Sequence, residues 1–180
     1  NIQIIFSKNN GYGSAINLAR KHVVTKYFFV LNPDILKVND QLINAFCDAA
    51  KELKDNFGAL GPRFEKVSEK SHKQSNINEK YGQIESISGS AMFFCSEIFD
   101  RNRGFDENFF LYFEETDYCK RGVLKNLKSF QINSIKVKQE GRSVEFKNNN
   151  DEKKIYNLLS WHFIWSKFYY YKKHYGYIYA

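Results

Sequence analysis

The chain has 180 residues, 27 Lys plus Arg against 20 Asp plus Glu for a net charge of +7, 43% apolar side chains and 17% aromatic ones. This length and apolar content support one folded domain with its own core and exclude a disordered polymer, while the basic balance favours phosphates, nucleic acid or an acidic membrane surface as partners. Three isolated cysteines (Cys47, Cys95, Cys119) exclude a Cys-rich zinc module and a disulfide scaffold and fit a reducing compartment, and no apolar run approaches the ~18–20 residues of a membrane span.

No charged leader precedes an apolar run, so no signal peptide is expected. Residues 2–6, Ile-Gln-Ile-Ile-Phe, read as a short buried strand without a lead-in, as if the chain began inside a domain. A loop through Asn9, Asn10, Gly11 and Gly13 precedes a predicted helix at 14–25, with Ile16, Ala19 and Val23 at helical spacing. The apolar run at 27–31 reads as a strand ending at Asn32-Pro33-Asp34. Strand, helix and strand in about thirty residues is the βαβ pattern of a parallel sheet covered by helices.

Asn39 or Asp40 caps a predicted helix running to about Lys54, with Leu42, Ala45, Phe46, Ala49 and Leu53 on one face. Residues 57–60 form a short strand closed by Gly61-Pro62, and the polar stretch 65–83 is a variable loop. Strand character returns at 84–95, broken by Ser88-Gly89-Ser90, and a short helix follows at 96–100. Residues 115–127 are predicted helical and 129–138 form a last strand, before a loop marked by Gly141 and the run 148–150.

Three segments carry candidate chemistry. The first is Asn32-Pro33-Asp34 at the carboxyl end of a strand, where ligands of open α/β sheets bind. Mg²⁺ uses one or two carboxylates plus substrate phosphates, so Asp34 suffices if a diphosphate supplies the rest. Taken alone, the tripeptide also reads as an ordinary turn. The second segment places Glu114, Glu115 and Asp117 behind the aromatic run 109–113. Crowding and apolar walls raise carboxyl pKa values, which suits a general base. The same acids also stabilise a helix N-terminus, and Asp117 with Arg121 makes an i,i+4 ion pair, so capping and catalysis stand level. The third segment, Asn9 to Gly13 ahead of a helix, lets backbone amides approach a phosphate or simply enters the helix.

In this order, the three segments resemble the inverting family 2 glycosyltransferases of GT-A type, within them the rhamnosyltransferase-like branch that builds bacterial surface polysaccharides. Asn9-x-Gly-Tyr-Gly-x-x-x-Asn17 followed by Leu31-Asn-Pro-Asp34 is similar to that branch's N-x-G-[FY]-[GA]-x-x-x-N and LNPD. Ile87-Ser-Gly-Ser-Ala-Met resembles its SG-small-Ala-Met strand. Gly104-Phe-Asp-Glu-x-Phe-Phe-x-Tyr-x-Glu-Glu-x-Asp-Tyr-Cys-x-Arg121 is similar to its G-F-D-E-x-F-F-x-Y-x-E-[DE]-x-D-[LY]-C-x-R segment. The match covers about residues 3–145.

The resemblance implies an α/β, GT-A-like mixed sheet flanked by helices, N-terminally incomplete, over residues 1–150, with an aromatic and basic amphipathic helix at 151–180. It implies a sugar, rhamnose among the options, moved with inversion from a nucleoside-diphosphate sugar to a hydroxyl of a polysaccharide or lipid-linked acceptor. Asp34 would hold Mg²⁺ or Mn²⁺ and the donor diphosphate, with Asn32 in the first position of the D-x-D motif. Glu115 would be the base, Glu114 and Asp117 would shape its site, and Arg121 would balance it. Gly89 and Ser90 would line the donor sugar pocket, and Asn9, Gly11, Gly13 and Asn17 would border the nucleotide. The family's first strand and uridine-contacting Asp would precede residue 1. Its H-x-G-x-S pattern reads Gln139-Glu140-Gly141-Arg142-Ser143, so Gln139 stands in for a metal-binding His as a poorer ligand for Mn²⁺.

In the tail, Ile155, Leu158, Leu159, His162, Trp165 and Tyr169 make one stripe, with Lys153, Lys154, Lys167, Lys172 and Lys173 among them. The stripe is expected to pack on the domain or on a second subunit as a homodimer. The Tyr169–Tyr171 and Lys172–Lys173 end can still touch lipid, which implies a cytoplasmic protein peripheral at the inner face of the cell membrane. The four histidines are scattered and read as surface or satisfied side chains. Two other classes remain: a non-catalytic relative or fragment acting in binding or assembly, and a single-stranded nucleic-acid module. The core-like pairing of the aromatics and the lack of an RNP-type strand argue against nucleic acid.

Overall fold

The computed structural model describes residues 2–65, 74–140 and 149–180. Residues 66–73 of the polar loop expected at 65–83, and Gly141, Arg142 and Ser143 of the H-x-G-x-S counterpart, lie outside the described residues, and the end of that expected loop, from Tyr81, is a strand.

The order is α1 (Tyr12–Arg20), β1 (Tyr27–Leu31), β2 (Ile35–Leu36), α2 (Asp40–Glu52), β3 (Leu60–Phe64), β4 (Tyr81–Ile84), β5 (Ala91–Cys95), α3 (Ser96–Arg101), α4 (Glu114–Val123), β6 (Ser129–Gln139) and α5 (Asn149–Tyr175), ending in a 3₁₀ turn at Tyr177–Tyr179. All five residues of β5 are buried, which marks a strand covered on both faces. Its alternation splits the core in two. Phe93 points with Phe46, Ala49 and Leu60 towards α2. Met92 and Phe94 point with Ile16, Phe99, Phe105 and Tyr118 towards α1, α3 and α4. Asn39 caps α2 as expected, accepting from the Leu42 amide at 2.9 Å.

The sheet runs β1-β5-β3-β6-β2, with β4 also on β6. β1 and β3 both pair antiparallel with β5, and β2 and β4 pair antiparallel with β6. Only the β3–β6 pair is parallel, with a register shift between Pro62 and Arg63. The sheet is therefore mixed, and the parallel βαβ unit expected over the first thirty residues does not form. Residues 2–6 are not a strand: Ile2, Ile4 and Phe6 are 95%, 71% and 90% exposed. Among the described residues β1 pairs only with β5, so its outer edge is open and residues 2–6 do not add to it. The strand expected at 57–60 instead starts at Leu60 and continues through Gly61-Pro62 to Phe64. Pro62 sits where the ladder breaks register, a position that tolerates a missing N–H.

Candidate functional site

Three strand ends meet at one place. Leu31 lies opposite Ala91, so the residues that follow β1 meet those that precede β5. The Asn32 amide donates to the Ser90 carbonyl at 2.9 Å. At the far end of β6, Gln139 Nε2 donates to Asp34 Oδ2 at 3.0 Å and to Ser90 Oγ at 3.2 Å. Asn32, Asp34, Ser90 and Gln139, 107 positions apart at their extremes, are thereby brought together.

α4 supplies the acids from the other side. Its entry is strained: Tyr112 and Phe113 both hold left-handed backbone, with φ of 72° and 71°. Such conformations in bulky residues persist only where surroundings enforce them. Here α5 does so, because Phe163 packs on both rings, at 5.7 and 5.6 Å, and Tyr170 packs on Phe113 at 5.4 Å. The helix then opens with Glu114 and Glu115.

Between the two sets lies a cleft of about 200 Å³ lined by Tyr12, Asn32, Ser88, Gly89, Ser90, Leu111, Tyr112, Glu114 and Glu115. The Tyr12 hydroxyl spans part of it, donating to the Gly89 carbonyl and lying 3.3 Å from Asn32 Oδ1. Gly89 lies beside Glu115 across the cleft: a Cβ built on it would be in ordinary contact with Glu115 Oε2, at 3.8 Å. Asp34 is not itself in the wall of the cleft and connects to Ser90 of that wall through Gln139, which bonds both. Glu115 also lines a second groove, about 410 Å³, with Gln74, Ser75, Gln83, Ser86 and Thr116 among its walls.

Glu114 is 1% exposed and its Oε1 has no partner among the described residues. Burial pushes its carboxyl up to about 8, and the neighbouring Glu115 charge adds to the rise. Burial likewise pushes the half-buried Glu115 up to about 7. Loss of water around the charge outweighs the favourable helix N-terminus. Burial first, then the two glutamates, also raise the Tyr12 phenol well above its ordinary range. At neutral pH the cleft thus holds acids that exchange protons readily.

The structure separates several of the expected site residues from this cleft. Asp117 is sealed at 0% exposure, bound by Arg121 Nε at 2.7 Å, Lys173 Nζ at 2.6 Å and His174 Nε2 at 2.8 Å. Arg121 spends its other donors on the carbonyls of Asn102 and Gly104. Both are structural, because every polar atom in that knot is directed at protein. Asn17 likewise clasps the backbone of Phe105 and the Glu107 carboxylate rather than the cleft. Gly11 has φ 104°, and a Cβ there would fall 2.5 Å from the Phe110 carbonyl oxygen. Gly13 packs against Phe105 and Glu114 in the same way. These glycines let α1 dock on the 105–114 segment, and Asn9 accepts from the Gly11 amide at 3.2 Å to shape the turn. Tyr12 is the residue sequence reasoning missed. Its signal was an aromatic fixed between two glycines.

Among the described residues no group of three or more His, Cys, Asp or Glu side chains forms a metal cage. The donors near Asp34 are one carboxylate, the Gln139 amide and the Ser90 hydroxyl, all hard oxygen ligands once the amide turns its oxygen inward. That set fits Mg²⁺ or Mn²⁺ shared with phosphate oxygens and does not fit a cation held by protein alone.

No protein-family model and no curated protein matches the chain. Solved structures do. Residues 1–349 of Staphylococcus aureus TarS in complex with UDP-GlcNAc align with TM-score 0.57 at 16% identity, over 78% of this chain and 42% of that one. The same TarS fragment with UDP aligns with TM-score 0.55 at 15% identity, over 74% and 41%. This likeness, with the mixed six-stranded sheet and its flanking helices, shows an α/β, GT-A-like fold. The chain spans about two fifths of the length of the TarS chains it matches.

Proposed function

We propose that the chain carries the catalytic cleft of a glycosyltransferase, which passes a sugar from a nucleoside diphosphate to an acceptor hydroxyl. The observation that carries this reading is the position of Glu115, a wall of two cavities at once. One side holds Asn32, Gly89 and Ser90, with Asp34 connected to Ser90 through Gln139, which suits the donor. The other is walled by the amides and hydroxyls of Gln74, Ser75, Gln83, Ser86 and Thr116 together with Glu85 and Ile84, which suits a saccharide, and its Gln74 Oε1 is buried without a partner among the described residues. The likeness to a UDP-GlcNAc complex supports a uridine nucleotide as donor carrier.

The chemistry balances in one displacement. The acceptor oxygen forms a bond to the anomeric carbon as the bond from that carbon to the phosphate oxygen breaks. The bonding pair leaves with the nucleoside diphosphate, and the hydroxyl proton passes to Glu115. Attack from the side opposite the leaving group inverts the anomeric centre, with no covalent sugar intermediate. A carboxylate whose pKa lies at about 7 is a competent base near neutrality. Glu114 keeps the neighbouring wall acidic, and Tyr12 fixes the Gly89 and Asn32 side of the cleft. A divalent cation at Asp34 and Gln139 would offset charge developing on the diphosphate. The motifs favour the inverting family 2 type, a rhamnosyl or related donor, and a surface polysaccharide or lipid-linked acceptor.

Calorimetric titration with UDP and deoxythymidine diphosphate, with and without Mn²⁺, tests the donor side. Mn²⁺ is expected to tighten binding at least about tenfold, and Asp34→Asn to abolish that gain. Metal-independent binding that Asp34→Asn leaves intact contradicts the proposal.

A further inference from the structure

One face of α5 holds the domain; the other remains in solvent, although it is apolar. Leu158, Trp161, Ile164 and Trp165 are 52%, 57%, 67% and 44% exposed. Clustered exposed apolar surface of this kind marks an interaction site rather than a solvated helix. Beyond its first turn, where Asp151 lies 3.7 Å from Lys154, its charge is one-sided: from Lys153 onward the sequence has five lysines and no Asp or Glu, and of these Lys173 turns inward to Asp106 and Asp117. Lys154, Trp161, Trp165 and Lys172 follow at spacings of 7, 4 and 7, which places them on one line along the helix. The two indoles lie nearly parallel at 6.3 Å in its middle, with a lysine at each end. Lys172 Nζ reaches 4.4 Å from the ring of Tyr177, itself 71% exposed.

We propose that this outer face of α5 lies flat on an anionic lipid surface. Tryptophan and tyrosine settle at the depth of lipid headgroups, and lysines extend from such a helix to meet negative charge. Among the described residues no helix is long and apolar enough to cross a bilayer, so the helix rests on the surface. A second copy is the poorer occupant, because a two-fold contact would set each lysine against an identical patch without a counter-charge. The docked face borders the cleft. A groove of about 450 Å³, with Tyr112, Leu159, Phe163 and Ile164 in its walls, runs from it, and Tyr112 also lines the carboxylate cleft.

The docking itself does not depend on sugar transfer and is measured without nucleotide. Trp161 and Trp165 are the only tryptophans of the chain, so intrinsic fluorescence reports on this face alone. Vesicles of phosphatidylcholine with phosphatidylglycerol are expected to shift the emission to the blue, and added salt to reverse the shift. Lys154→Gln/Lys172→Gln is expected to weaken partition about thirtyfold. No shift with anionic vesicles overturns the proposal, as does an equal shift with phosphatidylcholine alone. A lipid-free shift that grows with protein concentration assigns the face to a second copy and overturns it too.

Discussion

Glu114 holds its carboxyl where water does not reach, with one oxygen unpaired among the described residues, so its pKa of about 8 lies far above the ordinary 4.5. Between those values the folded chain keeps a proton that the unfolded chain releases. Stability therefore falls as pH rises through that window and levels off above about pH 8. Glu114→Gln removes this share of the dependence and leaves the smaller share of Glu115, whose carboxyl burial pushes up to about 7. The variant is expected to be more stable than the parent by on the order of 5 kcal/mol above about pH 8, with the difference vanishing near pH 4. Urea midpoints at both ends of the range check this, and an equal difference at both would contradict it. Glu115, more exposed and facing the acceptor groove, sets the rate instead, and turnover should rise with pH through about 7. The fate of Asp117 was open to reading in the sequence. Two residues beyond Glu115 is a rotation of about 200° on a helix, so the two acids cannot share a face. The i,i+4 pair with Arg121 is present, at 2.7 Å.

At the scale of elements, α5 positions α4. Asp117 of α4 binds Lys173 and His174, the Asp106 carboxylate also takes Lys173 at 2.7 Å, and Phe163 with Tyr170 packs on the strained pair ahead of Glu114. Asp117→Asn leaves Arg121 without its carboxylate partner while Lys173 keeps Asp106, and is expected to cost about 3 kcal/mol, read from the denaturation midpoint. A loss under about 1 kcal/mol would mean the knot is surface-like. The inner face of α5 was only partly legible. Leu159, His162 and Tyr169 turn inward, but Ile155, Leu158 and Trp165 remain exposed. A helix with aromatic residues all round offers no single stripe to read, and Phe163, Ser166 and Tyr170 complete the packed side. The Ser166 hydroxyl donates to the Leu111 carbonyl at 2.8 Å, beside the cleft. Residues 2–6 failed for a different reason: periodicity reports a strand's side chains, never whether its backbone pairs.

Over the whole molecule, the sheet edges and α4 do what no single motif shows. Asn32-Pro33-Asp34, Ser88-Gly89-Ser90, Gln139 and Glu114-Glu115 were each readable as segments. Their convergence follows from β1 and β5 running antiparallel and from β6 ending beside β2. The order β1-β5-β3-β6 is a long-range property, set by pairings between residues far apart in sequence, so local pattern cannot supply it. The central claim is that a cation gripped at Asp34 and the carboxyl of Glu115 act within one cleft. Paramagnetic broadening of backbone amide signals by Mn²⁺ with UDP tests it without needing the sugar or the acceptor. The amides of Gly89, Ser90 and Glu115 are expected to broaden selectively over those of Lys154 and Trp161, and Asp34→Asn to remove the effect. Broadening that spares Glu115, or a pattern unchanged in Asp34→Asn, would contradict it.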